Sequence, residues 1–308
     1  MKAARIHKFG GPEVIVIDEL ERPEPAEGEV LVHVFAAGVG PWDALIRERK
    51  SVVDSRLPLT LGSDLSGVVE AVGRGVSSFR PGDEVYGVTN KQFIGAYGEY
   101  ALASADMIAS KPKSLDYLAS ASAPVVAVTA WQMLFDYAQA NAGRVVLIQG
   151  AAGNVGAYAV QLASQAGLRV LATAAGKDLD YVRRLGASTA IDYAAQRFEQ
   201  VAPQVDVVLD LVGGDTRDRS FAVVKPGGIL VSVVSEPMPK PTGIRAVFFL
   251  VEVTTERLGR LSTLFDSGKL VSHVGSVLPL EEARTAHEML AGAPHKPGKI
   301  VLRVASHA

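Results

Sequence analysis

Val145-Val146-Leu147-Ile148-Gln149-Gly150-Ala151-Ala152-Gly153-Asn154-Val155-Gly156 decides the fold of this chain. The apolar, β-branched start reads as a strand and stops at a glycine. Gly153 follows three residues later, and Gly156 three after that. A helical pattern then begins, with Val155, Ala159, Leu162, Ala163 and Ala166 on one face. Strand, glycine turn and helix N-terminus together make a cradle for a pyrophosphate, because free N–H groups and the helix dipole favour an anion there. Glycine lets the backbone approach the phosphates, and a small residue lets the helix pack on the strand. The stretch predicts a dinucleotide-binding domain.

Working outward, strand and helix alternate. Strands are expected at 145–149, 169–173, 189–191, 205–210 and 229–234. Helices fill the gaps at 155–166, 178–185, 194–201 and 216–224, preceded by Tyr117–Ala123 and, past Pro124, Thr129–Ala138. Nearly all-apolar strands in such alternation predict a parallel, doubly wound α/β sheet. Residues 1 to about 110 read differently. Short runs at Val14–Ile17, Glu29–Ala37, Gly67–Val72, Glu84–Gly87 and Glu99–Ala103 are broken by Gly- and Pro-rich turns, as in a barrel-like β domain. After a helix at Leu258–Asp266, Val274–Leu278, a helix over Leu280–Leu290 and Lys299–Val304 read as a return to that first domain. The expected organisation is therefore 1–115 with 276–308 as a discontinuous domain, and 116–275 as the inserted nucleotide domain.

Composition narrows the function. The 308 residues are 48% hydrophobic and carry a formal charge of −2. That charge gives no reason to expect nucleic acid or an anionic membrane as partner. No apolar run reaches the length of a membrane span. Met1–Lys8 has no apolar signal core, so no secretory peptide is expected, and a cytoplasmic enzyme is. The chain has no cysteine, which excludes disulfides, thiolate catalysis and sulfur-ligated zinc. None of His7, His33, His273, His287, His295 and His307 pairs with another at metal-binding spacing, so no metal is expected.

The strand after the glycine loop bears on the cofactor. NAD-selective sites tend to place Asp or Glu at its end to hold the ribose 2′-hydroxyl. Here the chain reads Thr173-Ala174-Ala175-Gly176-Lys177. No carboxylate opposes a 2′-phosphate, and Lys177 offers a counter-charge, so NADPH is the expected cofactor. Asp178 and Asp180 nearby work against this.

In this order, the motifs resemble the zinc-independent quinone oxidoreductases of the medium-chain dehydrogenase/reductase superfamily, over essentially the whole chain. The landmarks are Ala36-Ala37-Gly38-Val39, Pro41-Trp42-Asp43, Leu61-Gly62-Ser63-Asp64-Leu65-Ser66-Gly67, Pro81-Gly82-Asp83-Glu84-Val85 and Gly95-Ala96-Tyr97-Gly98-Glu99-Tyr100. Thr129-Ala130-Trp131 precedes the nucleotide motif. Leu185-Gly186-Ala187, Ile191-Asp192-Tyr193, Pro226-Gly227-Gly228 and Pro297-Gly298-Lys299-Ile300-Val301-Leu302 follow it. The resemblance implies a GroES-like β-barrel domain carrying an inserted Rossmann domain. Zinc-dependent members hold the catalytic metal with a cysteine and a histidine at positions matched here by Gly40 and Ser63. The implied reaction is metal-free hydride transfer from NADPH to a small electrophile, a quinone or an α,β-unsaturated carbonyl.

The resemblance also implies site residues. Gly150, Gly153, Asn154 and Val155 would meet the pyrophosphate. Thr173, Ala174, Ala175, Gly176, Lys177 and Tyr193 would line the adenosine ribose pocket. Thr129, Val212, Val234 and Ser235 would lie near the nicotinamide. Trp42, Asp43 and Ser63 are the candidate catalytic residues: an apolar wall, a proton carrier or loop anchor, and a hydroxyl for the substrate oxygen. Some have a plainer reading: Thr129 as a helix N-cap, Trp42 as a core aromatic, Tyr193 as a surface aromatic, Lys177 as a solvated helix residue. Asp64 is expected to hold the loop around Ser63. Tyr86 and Asn90 are weaker cleft candidates, and Lys296 and Lys299 are expected on a solvated face. Relatives often carry Asn at Gly40, Gly at Asn154 and Tyr at Leu45, which leaves substrate class open. A catalytically weak NADPH-binding sensor or scaffold and a stand-alone enoyl-thioester reductase are the alternatives. A homodimer is expected through the apolar run Ala246–Val251, after a Pro-rich loop at Pro237–Pro241.

Overall fold

The computed structural model describes residues 1–53, 56–236 and 241–305, and they form two compact units. One comprises Met1–Val125 with Val253–Ala308, the other Val126–Glu252. His307 and most of the Pro-rich loop, Pro237–Lys240, lie outside the described residues.

In the second unit six parallel strands lie side by side. Their order is Thr189–Asp192, Arg169–Ala174, Val145–Gln149, Val205–Asp210, Val224–Ser232 and Arg245–Phe248. This is the Rossmann order, and it reverses direction between Val145–Gln149 and Val205–Asp210. Such a reversal leaves a crevice at the carboxyl ends of the two strands, because their following loops run opposite ways. Leu147, Leu171, Ile191, Val208 and Leu230, one from each of five strands, form a buried core with Phe198 and Val223. Burying a side chain of this size stabilises by about 1.5–3 kcal/mol.

In the first unit, Ile15–Glu19, Lys2–Ile6 and Leu59–Thr60 make a small antiparallel sheet. A larger mixed sheet runs Val274–Pro279, Lys299–Arg303, Glu29–Val39, Asp64–Val72, Glu84–Val88, Ile108–Ser110. Tyr100–Ser104 is added along Glu29–Val39. The long strand Glu29–Val39 organises this sheet. Its first half pairs with Tyr100–Ser104, its second half with Lys299–Arg303. Ile6, Val32, Leu65, Val85 and Ile300 close the core beneath it.

Several expected elements shift. The helix placed after Pro124 instead starts on it, running Pro124–Trp131 before a π-helical turn at Gln132–Tyr137. Proline is tolerated in a first turn, where its missing N–H costs nothing. The helix expected at 194–201 shrinks to Phe198–Val201. Asp192 holds the preceding residues in a turn: Oδ1 accepts the Ala194 N–H, and its carbonyl accepts those of Ala195 and Gln196. The short strands Lys2–Ile6, Leu59–Thr60 and Ile108–Ser110 carry no strong alternation and are not evident from sequence. No helix among the described residues is long and apolar enough to cross a membrane.

Candidate active site

The glycine loop sits where the sheet order reverses. Gly150 ends the central strand with φ +76°, a backbone that disfavours any side chain. Gly153 caps the helix Asn154–Gln165, its N–H donating to Gly150 O at 3.1 Å. The N–H groups of Asn154 and Val155 lie in the first helical turn, where no intrahelical acceptor exists. Gly156 is fixed by packing. A Cβ there would lie 2.7 Å from Ala151 Cα and overlap Gly150 O. Glycine is therefore what lets this helix seat on the loop.

The neighbouring strand ends complete the cradle. Asp210, fully buried, accepts the Val212 and Gly213 N–H groups on Oδ1 and the Ser232 hydroxyl on Oδ2. The Ser232 Oγ in turn accepts the Val234 N–H at 3.2 Å. One buried carboxylate thus shapes two loops. It brings Val212 to Gly150, where a Cβ would lie 3.1 Å from Val212 Cγ2, and Val234 to Gly213. Both valines are about half exposed, at 49% and 48%. Ser235 stands beside them, its Oγ accepting from Arg217 Nη1 at 2.7 Å. Asp210, Ser232 and Arg217 escape sequence reading because they act on backbone and side chains across strands, not at a motif spacing.

Thr173 is buried and turned inward. Its Oγ1 accepts the Gly150 N–H and donates to Gln149 Oε1, whose amide donates to Ser220 Oγ. It holds the loop, while Ala175, Gly176 and Lys177 turn outward in a short 3₁₀ turn. Lys177 and Tyr193 are exposed. Asp192 carries no signal of this in the sequence, yet its Oδ2 lies 2.7 Å from where a Gly176 Cβ would be. A carboxylate therefore does reach this pocket, from the adjacent strand. Thr129 is buried inside its helix, not at a cap.

In the other unit, Trp42, Asp43 and Ser63 come together. Pro41–Arg47 is a short helix. Asp43 Oδ2 accepts the Gly40 N–H at 2.8 Å, half of a capping box, and the Tyr97 hydroxyl at 2.9 Å. Trp42 Nε1 donates to Ser63 Oγ at 2.9 Å. Lys299, expected on a solvated face, is instead buried. Its Nζ lies 3.1 Å from Asp64 Oδ2 and 4.3 Å from the centre of the Trp42 ring. Asp64 Oδ1 accepts the Val125 N–H. The Asp64 carboxylate thus joins Val125 to Lys299, in place of the expected hold on the Ser63 loop. Tyr86 is fully buried and donates to Leu258 O, and Asn90 caps its own turn through the Gln92 N–H. Behind Tyr97, burial and then the Arg47 guanidinium press the His287 imidazole down to about 3, so its Nδ1 accepts from Arg47 Nη1 at 2.6 Å.

Burial raises the Asp43 carboxyl from 3.8 to about 7, against the pull of the Gly40 N–H, Lys299 and Tyr97. A raised folded value means the folded chain holds this proton more tightly than the unfolded one. The resulting stability is complete below about pH 4 and is lost as pH rises through about 7. Asp43→Asn keeps the acceptor and removes the titration. Urea unfolding should then show the variant gaining on the wild type by a few kcal/mol between about pH 4 and 8. A difference that stays flat with pH contradicts the assignment.

Among the described residues no three His, Asp or Glu side chains gather as a metal site. Residues 26–113 match the alcohol dehydrogenase GroES-like domain, and residues 185–302 the zinc-binding dehydrogenase family. The chain is 34% identical to a quinone oxidoreductase of Sus scrofa, covering 98% of this chain and 97% of that one. It is 34% identical to the chloroplastic NADPH-dependent alkenal/one oxidoreductase of Arabidopsis thaliana, over 98% of this chain and 79% of that protein. The solved quinone oxidoreductase from Coxiella burnetii superposes with a TM-score of 0.90 at 34% identity, over 99% of each chain. This agreement runs from end to end and includes both sheets. The chain belongs to the quinone oxidoreductase family of the medium-chain dehydrogenase/reductase superfamily.

Proposed function

We propose that this protein reduces quinones and α,β-unsaturated carbonyls with NADPH and without a metal. The cradle at the sheet reversal carries the reading: a glycine loop open to a pyrophosphate, beside two half-exposed valines and Ser235. The names of the relatives support the same chemistry. We assign cofactor binding to the unit 126–252 and substrate binding to the other unit.

When bound, NADPH supplies a hydride from C4 of its nicotinamide. The first-turn N–H groups of Asn154 and Val155 hold the pyrophosphate, with Gly150 and Gly153 leaving room for it. Val212 and Val234 give an apolar seat for the nicotinamide, bordered by Thr129 and Ser235. Lys177 and Tyr193 flank the adenosine ribose, along with Ala174, Ala175 and Gly176. Trp42 borders the substrate with its ring fixed by Ser63 and Lys299. Ser63 is fully buried, and its Oγ accepts the indole N–H and fixes the ring rather than meeting the substrate oxygen. Asp43 caps the short helix that carries Trp42. In an enone or quinone, conjugation spreads the developing negative charge, so a fixed donor suffices where an isolated carbonyl needs a Lewis acid.

A panel of quinones and enones, followed by NADPH absorbance before and after exhaustive chelation, tests this. Steady oxidation that survives chelation is the expected result. Activity lost together with stoichiometric zinc sinks the metal-free reading. Lys177 and Asp192 set the cofactor balance. Lys177→Ala should weaken NADPH about three- to tenfold more than NADH, and Asp192→Asn should shift the ratio the other way. Tighter NADH binding by the wild type contradicts the assignment.

We also infer a homodimer. Arg245–Phe248 is the terminal strand of the parallel sheet, and Phe248 at its end and Leu250 just beyond it are exposed. Unpaired edges invite a second strand. Phe249 does not contribute to that surface, because it stacks on Tyr137 with ring centres 4.2 Å apart. A monomer mass by light scattering at micromolar concentration overturns the dimer.

A further inference from the structure

Two loops carry the half-exposed valines of the cofactor cradle, and one guanidinium ties them together. Val212 lies on the loop after Val205–Asp210. Gly213 and Gly214, with φ +77° and +55°, then turn the chain into the short helix Gly214–Ser220. Arg217, one turn along that helix, is only 9% exposed. Its Nη1 crosses to the loop after Val224–Ser232, donating to Ser235 Oγ at 2.7 Å and to Glu236 O at 3.1 Å. Its Nε and Nη2 both meet Asp218 Oδ1, at 2.8 and 2.6 Å. The two loops lie against each other, since a Cβ at Gly213 would be 2.8 Å from Val234 Cγ1.

We propose that Arg217 is a positioning residue for the nicotinamide end of the cofactor: acting through Ser235 and the Glu236 carbonyl, it fixes the gap between Val212 and Val234 in which that ring lies. The inference rests on the assignment of NADPH to this cradle. The choice of residue supports it. The Asp218 side chain is half exposed, so the buried guanidinium gains little from that ion pair. An apolar side chain of similar volume would fill the same space with no charge to desolvate. What arginine adds is a rigid fork of donors. One side of the fork is anchored on Asp218 in its own helix, and the other holds two acceptors of the neighbouring loop. Asp210 and Ser232 tie the same loops at their backbone, so Arg217 sets what they leave free, the stretch beyond Val234.

Calorimetric titration with two ligands tests this: NADPH, and 2′-phospho-ADP-ribose, which lacks the nicotinamide. The wild type should bind both. Arg217→Met fills much the same volume without the fork. It should weaken NADPH about fivefold and change 2′-phospho-ADP-ribose by less than about twofold. A role confined to stability would move both ligands together. Arg217→Lys keeps the charge beside Asp218 but cannot span both loop acceptors. It should show the same selective loss to a smaller degree, and it decides the matter if the methionine variant fails to fold. Equal weakening of both ligands, or no change in either, overturns the role of Arg217 and leaves the NADPH assignment standing. A wild type that binds neither ligand overturns both.

Discussion

Lys299→Met should destabilise the protein by about 3–5 kcal/mol, the usual consequence of removing one partner from a buried ion pair. Lys299 and Asp64 are both essentially without solvent contact, at 2% and 0%. Burial pushes the Asp64 carboxyl up and Lys299 pulls it back, so without the lysine the carboxyl must take a proton or stay charged in an apolar surround. The damage should come from the orphaned charge more than from lost attraction. Adding Asp64→Asn keeps an acceptor for the Val125 N–H and removes that charge. The double variant should therefore recover most of the loss. Urea midpoints for the four proteins check this. A single variant within about 1 kcal/mol of wild type contradicts the buried pair, as does a double variant as unstable as the sum of its parts.

Gly156→Ala should weaken NADPH on the order of 100-fold, because the loop that carries the phosphate-facing N–H groups must shift to admit the methyl. It should also cost about 1–3 kcal/mol of stability, since the new Cβ meets Gly150 O and Ala151 Cα, which are backbone and cannot rotate aside. Gly153→Ala separates packing from binding. At Gly153 the nearest atom to a Cβ is Gly150 O at 3.3 Å, so the fold should tolerate the methyl while the phosphate does not. Fluorescence titration with NADPH and thermal melts distinguish the two positions. Equal stability losses at both sites contradict the packing argument.

The parallel sheet was legible because its strands are buried on both faces and read as apolar runs, with glycine marking the loop that matters. The helix Asn154–Gln165 lies within one residue of its expected start and end. What sequence concealed are partners distant along the chain. Lys299 looks like an ordinary solvated lysine after Pro297-Gly298, and only the pairing of Lys299–Arg303 with Glu29–Val39 carries it to Asp64 and Trp42. Asp210 sits at a strand end like any acidic residue, and its hold on Val212 and Val234 depends on Ser232 in the next strand. Asp192 looks like an ordinary residue of the Ile191-Asp192-Tyr193 run, and its reach to Gly176 follows from the register that places it beside Ala174. Gly40 lies under the Trp42 indole, which leaves no room there for a Cβ, and nothing in its sequence neighbourhood signals that.

Hydride transfer itself is the central claim, and isotopic labelling measures it. NADPH deuterated at C4 on the transferred face, incubated with the chelated protein and an enone, should yield product carrying deuterium at the β carbon, with the α hydrogen drawn from solvent. Product without that label, or NADPH left unoxidised in the presence of both enones and quinones, would contradict the account.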